Sequence, residues 1–309
     1  MNTPAALDAP TRADEPAAAL SGRRVPIRAL VVSLRPRQWQ KNLFVFAGII
    51  FAAKIGDPLR WAEAIACFVA FCAASSAAYL VNDVRDAPRD RSHPLKRNRP
   101  IARGDVAPRL ALVVAGVLAV VALAIGVALD PVTLGLIAAF LALQGAYSLW
   151  LKQIVLLDVL VIAALFVLRA VAGGTAVDVK ISDWLILCTA LLALFLGFAK
   201  RRGELVLNGN GHAQSRSVLD SYSLELVDQL LTIVAASTIV AYGLYALDNE
   251  ASGMVATMPF VLFGVFRYLL LIHRDNLGEE PERVLLRDKQ LLGAVVLWAI
   301  TAAVILAAS

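Results

Sequence analysis

The sequence predicts an all-α, polytopic membrane protein, and three observations carry that expectation. The 309-residue chain is 59% hydrophobic, against about 45–50% in soluble domains. Its charged fraction is 17%, below the usual value of about 25%. Its apolar residues gather in runs of roughly 20, the length a helix needs to cross the hydrocarbon core, and most of its lysines and arginines fall in alternate gaps between those runs.

The elements follow in order. Residues 1–30 are expected to form a disordered cytoplasmic tail, rich in Ala, Pro, Asp and Arg and without the apolar segment of a signal peptide. Residues 31–309 are expected to form one transmembrane catalytic domain. About nine spans are predicted by length. The first is short, Leu43 to Ala53, with an amphipathic lead-in from Arg37. The others are Trp61–Val81, Arg109–Leu129, Val132–Trp150, Ile154–Ala172, Trp184–Ala199, Leu226–Leu247, Met254–Ile272 and Leu291–Ala308. Turn chemistry separates several of them, at Gly56-Asp57-Pro58, Asp130-Pro131, Gly173-Gly174 and Asp248-Asn249.

The charge pattern sets an expected topology with the N-terminus in the cytoplasm. The inner segments then hold Arg23, Arg24, Arg28, Arg35, Arg37 and Lys41, the loop after the second span, Lys152, Lys200 to Arg202 with Arg216, and Arg274 to Lys289. The outer turns hold only Lys54, Arg60 and Lys180. The chain is therefore read as a multi-pass plasma-membrane protein whose site faces the cytoplasm. The net charge of +5 belongs to this topology and not to a nucleic-acid surface. Cys67, Cys72 and Cys188 all lie in apolar runs, which argues against a disulfide framework. His93, His212 and His273 are scattered without zinc-type spacing.

The chemistry concentrates in Tyr79–Gly104. Asn82, Asp83, Asp86 and Asp90 continue the second span at spacings that share a helical face. Such oxygen ligands suit Mg²⁺, which takes one or two carboxylates and completes its octahedron with water and substrate phosphate. Arg91, Lys96, Arg97 and Arg99 follow, and with Lys41 they are candidate ligands for phosphate oxygens. Pro94 and Pro100 are expected to hold this stretch out of helix as a loop. The same cations also satisfy the topology rule alone.

Two further constellations sit at the inner ends of spans. Tyr147, Ser148 and Lys152 follow the fourth span, where an interfacial aromatic and a snorkelling lysine are the rival reading. Lys200, Arg201, Arg202, Gly203 and Glu204 close the sixth. Lys200 and Arg201 look like phosphate clamps, and Glu204 either binds a second metal or pairs with an arginine. Arg169 stands within the fifth span, and an intramembrane arginine is a functional candidate by default, with snorkelling as the alternative. Asp158 raises the same question near the other end of that span.

The Asn82-Asp83-x-x-Asp86-x-x-x-Asp90 arrangement after the second span resembles the UbiA superfamily of intramembrane prenyltransferases. Asn98-Arg99-Pro100-Ile101 and the Tyr147–Lys152 element are similar to its other motifs. The resemblance covers about residues 35–309 and implies a UbiA-like helical bundle, a Mg²⁺ cofactor on the first aspartate motif, and a lipid substrate entering from the bilayer. Ordinary members carry a second Asp-x-x-x-Asp motif after the sixth span, where this chain has Lys200-Arg201-Arg202-Gly203-Glu204. That departure, the opening Leu34–Asn42 and the run Asp90–Arg97 are similar to one branch of the superfamily. In that branch phosphoribosyl pyrophosphate is the donor and polyprenyl (decaprenyl) phosphate the acceptor. The product is a precursor of the arabinose donor for cell-wall arabinan. The branch implies that Asp83, Asp86 and Asp90 act on the metal-bound pyrophosphate. It also implies that the cations around them, with Lys152, Lys200 and Arg201, hold substrate phosphates. A prenyltransferase moving a prenyl group to an aromatic acceptor and a lipid or sugar transporter are the competing expectations. A homo-oligomer is left open.

Overall fold

The computed structural model describes residues 27–51, 56–93, 96–209, 217–248, 253–274, 284–285 and 287–308. Among them all regular structure is helical. The α-helices are α1 (Ile27–Ser33), α2 (Ala47–Phe51), α3 (Pro58–Ser92), α4 (Pro100–Arg103), α5 (Pro108–Leu129), α6 (Pro131–Leu149), α7 (Leu157–Ala176), α8 (Asp183–Gly209), α9 (Leu224–Asp248), α10 (Met258–Arg274) and α11 (Lys289–Ala308). A 3₁₀ stretch, Pro36–Phe46, lies between α1 and α2. The expected tail up to residue 26 lies outside the described residues, and Ile27–Leu30 already belong to α1.

Eight described helices are long and apolar enough to cross a membrane. The short first span expected at Leu43–Ala53 is not among them. Those residues finish the 3₁₀ stretch and form the five-residue α2, with 52–55 outside the description. The physical reason is in the packing. Asn42, Val45, Gly48 and Ile49 are buried, and the segment is wedged against α3 and α7 within the bundle.

Consecutive long helices pack on one another from α5 through α9, and α11 packs on α10. Burial separates inner helices from outer ones. The apolar windows of α3 and α7 are 61% and 56% buried, whereas that of α11 is 17% buried. α7 joins two cores: Val161, Leu165 and Ala172 pack with Phe71 and Phe140, and Val159 packs with Phe195, Phe198 and Leu231. Outer helices leave Val113, Val120, Val127 and Ile233 uncovered, the solvation expected of helices in lipid.

Local signals in the sequence explain most boundaries. Asp57 caps α3 by accepting the Leu59 N–H at 2.9 Å, with Pro58 at the first helical position. Asp130 caps α6 by accepting from Val132 and Thr133 at 2.7 and 3.1 Å, again with proline next. Gly173-Gly174 does not act as the expected turn. Both glycines lie inside α7, which runs on to Ala176. A Cβ on Gly173 would meet the Val45 carbonyl oxygen, and one on Gly48 would lie 2.6 Å from Gly174 Cα. The missing side chains let two backbones touch, the close approach typical of small residues between membrane helices.

Candidate active site

α3 has 35 residues, roughly 52 Å of helix at 1.5 Å per residue. That exceeds the hydrocarbon thickness of about 30 Å, so its last turns can stand clear of lipid. They carry the acidic motif, which is helical as expected and holds Pro88 within it.

The structure divides the three aspartates. Asp83 and Asp90 are buried, at 3% and 4% exposure, and share one arginine. Arg99 Nη1 donates to Asp90 Oδ2 at 2.6 Å and to Asp83 Oδ1 at 3.2 Å. Arg35 Nη2 donates to the same Asp83 oxygen at 2.5 Å. Asp86 is half-buried and accepts from Asn82 Nδ2 at 3.1 Å, with Lys152 Nζ at 3.7 Å. Among the described residues no three acidic, histidine or cysteine side chains converge as a metal cage. The donor set still fits Mg²⁺ in its usual mode. Asp86 and the neighbouring Asn82 offer oxygen ligands on a partly open face, and Mg²⁺ commonly takes the rest from water and substrate phosphate.

The cationic stretch is more structured than a loop. Lys96–Asn98 form a 3₁₀ turn, and Pro100 opens α4 where it was expected to prevent helix. Proline at the first helical position has no N–H to lose. Pro94 lies outside the described residues. Within this stretch Arg99 reaches the aspartates, whereas Arg91 and Arg97 are exposed and Arg91 Nε donates to the Ala102 carbonyl at 3.2 Å. His93 Nδ1 accepts the Lys96 N–H at 3.3 Å, and burial lowers the imidazole pKa.

Lys152 brings in the α6–α7 connection. Arg85 fixes that connection by donating to the Ser148 carbonyl at 2.5 Å. Tyr147 lies half-buried beside it and within electrostatic reach of Arg201. Arg201 is 1% exposed. It pairs with Glu204 one turn on, and its Nε lies 2.8 Å from Asp158 Oδ2, close but off the hydrogen-bond line. Asp158 Oδ1 accepts from Tyr222 Oη at 2.8 Å, and Tyr222 Oη accepts the Leu156 N–H at 2.7 Å. Burial first, and the bond to Asp158 second, push the Tyr222 phenol up to about 12. Arg202 turns the other way, to Asp228 Oδ1 at 2.7 Å and the Ile272 carbonyl at 2.8 Å. Lys41 and Lys200 are half-buried.

Two residues escaped the sequence reading as site members. Arg35 was read as topology, yet it clamps Asp83 and stacks over Tyr79 at 5.0 Å. Its φ of 55° is left-handed, unusual for arginine, and Pro36 behind it disfavours the right-handed helical alternative. Tyr222, well beyond the Lys200–Glu204 run, joins it through its bond to Asp158. For Arg35 the adjacency to proline is a signal in the sequence; for Tyr222 there is none.

Residues 42–287 match the UbiA prenyltransferase family. The chain is 36% identical over 289 residues to the decaprenyl-phosphate phosphoribosyltransferase of Mycolicibacterium smegmatis, covering 88% of this chain and 90% of that one. It is 33% identical over 282 residues to the protein of that name from Corynebacterium glutamicum, covering 87% and 84%. Among solved structures, a UbiA homolog from Archaeoglobus fulgidus bound to GPP and Mg²⁺ superposes with a TM-score of 0.71 at 17% identity, covering 91% of this chain and all of that one.

Proposed function

The chain belongs to the UbiA prenyltransferase family, and within it we propose that it transfers 5-phosphoribose from phosphoribosyl pyrophosphate to a polyprenyl phosphate such as decaprenyl phosphate. Pyrophosphate leaves, and the product would supply an arabinose donor for cell-wall arabinan. The named relatives support this reading, and one observation of this structure carries it. Where ordinary members hold a second aspartate pair, Arg201 neutralises both Asp158 and Glu204. Carboxylates already paired with a buried guanidinium are poor ligands for a second cation. The site is thus built for one metal-bound diphosphate and a surplus of positive charge, which suits two phosphorylated substrates.

In the reaction a phosphate oxygen of the lipid attacks ribose C1 and the C1–pyrophosphate bond breaks. The new C–O bond replaces the old one, and no redox partner is needed. A phosphate monoester is ionised at neutral pH, so no strong base is required. Asp86, with Asn82, would hold Mg²⁺, which neutralises the leaving pyrophosphate when bound. Arg99 and Arg35 hold Asp83 and Asp90 before substrate binds, and their remaining N–H donors are available to phosphate oxygens. Lys152, beside Asp86, balances charge on the leaving group. The cationic end of the bundle faces the cytoplasm, where the soluble donor is found, and the lipid enters from the bilayer between helices.

The test is transfer of label from phosphoribosyl pyrophosphate to polyprenyl phosphate by membranes containing the protein. Efficient prenylation of an aromatic acid from a prenyl diphosphate, with no phosphoribosyl transfer, would overturn the donor assignment.

A further inference from the structure

We infer that Arg169 and Asn42 form a second phosphate-binding site inside the bundle, one that receives the phosphate monoester of one of the two substrates. The inference rests on the proposed function for its substrates, but not for its geometry. Arg169 lies on α7, 11 residues beyond Asp158, roughly 16 Å deeper along the helix. It is 5% exposed. The snorkelling expected as its alternative is absent, because the side chain turns inward. Its guanidinium stacks over Phe140 at 4.6 Å and Phe166 at 5.2 Å. Nε donates to Asn42 Oδ1 at 2.7 Å and Nη1 to the Leu165 carbonyl at 2.7 Å. A guanidinium has five N–H donors, so these two bonds leave three.

Among the described residues Arg169 has no carboxylate partner, unlike Arg99, Arg201, Arg202 and Arg267, which all do. A buried cation without a counter-charge is costly, and intramembrane charges of this kind mark ligand paths. Asn42 is neutral, fully buried, and held by its own bonds: Nδ2 donates to Cys72 Sγ at 3.3 Å, and Ser75 Oγ donates to Oδ1 at 3.4 Å. The cation is thus aimed and stacked, with no carboxylate of the described residues against it.

Its position ties it to the aspartate site. Cys72, Ser76, Tyr79, Asp83, Asp86 and Asp90 recur at alternating steps of four and three along α3, so they form one polar stripe on a buried helix. Tyr79 links the two poles of that stripe. Arg35, bonded to Asp83, stacks on its ring, and Arg169 lies within electrostatic reach of it. Three phosphate groups must be held for the proposed transfer: the pyrophosphate, the donor's 5-phosphate and the lipid phosphate. The aspartate end accounts for the pyrophosphate. Arg169 offers a ready charge for one of the other two.

Asn42→Asp is the discriminating variant, because it supplies the missing counter-ion without enlarging the side chain. If Arg169 is only structural, the variant folds and works as well as the parent or better. If Arg169 binds phosphate, the new carboxylate occupies it. The KM for one substrate then rises about ten- to hundred-fold, the value of charge-assisted hydrogen bonds. Arg169→Gln should show the same rise. Thermal unfolding of the detergent-purified protein with inorganic phosphate, ribose 5-phosphate or polyprenyl phosphate identifies the source. Loss of stabilisation by ribose 5-phosphate assigns the site to the donor, and loss by the lipid alone assigns it to the acceptor. A folded Asn42→Asp protein with both KM values and all stabilisations unchanged overturns the inference, while leaving the proposed function standing. An Asn42→Asp protein that fails to fold also overturns it, since an uncompensated arginine should accept a carboxylate. If the parent shows no phosphoribosyl transfer but its stabilisation by phosphate is lost in both variants, the functional reading fails and the phosphate site stands.

Discussion

Replacing Gly173 with alanine would drive a single methyl group into the seam between α7 and the segment that carries Arg35, Lys41 and Asn42. The added Cβ would lie 2.6 Å from the Val45 carbonyl carbon and 2.7 Å from Val45 Cα, and closer still to the carbonyl oxygen. Carbon atoms rest about 3.5–4.0 Å apart, so the two backbones must separate by about 1 Å. Neither is the far end of a flexible side chain. Overpacking of this kind costs about 1–3 kcal/mol. A displacement of about 1 Å in a positioning element can also reduce catalysis about 100-fold. Gly135→Ala is the matched control. It lies in α6 with nothing within 4 Å of its would-be Cβ, so the general advantage of alanine over glycine in a helix, about 0.5–1 kcal/mol, should appear there. The assay is thermal unfolding of both purified variants together with transfer of labelled phosphoribose in membranes. Equal melting temperature and activity for the two variants would refute the argument that this glycine permits the backbone contact.

Asp86→Asn should reduce transfer at least about 100-fold, as expected when electrostatic stabilisation of a leaving group is removed, with little change in melting temperature because Asp86 is half-buried; activity comparable to the parent in the labelled-donor assay would exclude it as a metal ligand. Chelation with EDTA should abolish transfer and added Mg²⁺ restore it, followed in the same assay. Asp158→Asn should destabilise the protein, read as a drop in melting temperature, by less than the about 3–5 kcal/mol of a stranded buried charge, because Glu204 still pairs with Arg201. Tyr222→Phe strands the Leu156 N–H and one Asp158 oxygen and should cost about 1–3 kcal/mol. Because the folded phenol is raised to about 12 from a usual value near 10, this contribution is complete below about pH 10. It fades as pH rises through the folded value. The gap in melting temperature between Tyr222→Phe and the parent should therefore be constant from pH 6 to 9, and a gap that closes within that range would count against the bond.

The sequence made the acidic motif legible because its chemistry is local. Asn82, Asp83, Asp86 and Asp90 lie on one continuous helix, so spacing alone places them on neighbouring faces. It could not show that Arg99 and Arg35 would divide them, since those contacts close over 16 and 48 residues. Glu204 was ambiguous between metal ligand and ion-pair partner for a similar reason. The answer depends on Arg201, which shares its helix, and on Asp158, which does not. Gly173-Gly174 misled because glycine signals both turns and close contacts, and only the partner backbone at Val45 distinguishes the two.

Composition, run length and the placement of lysine and arginine determined the class of this protein, because a hydrocarbon solvent admits few arrangements of a chain this apolar. The recurring acidic and cationic residues picked out the candidate site after the second span. Only the tertiary structure decided how the charges are shared. Whether a carboxylate is open to a metal or closed by an arginine is a matter of a few ångströms between helices. The same holds for Arg169. In the sequence it is one charge in an apolar run, with no indication of whether it faces lipid or interior. In the folded bundle it faces inward, stacked on two phenylalanines and bonded to a neutral amide.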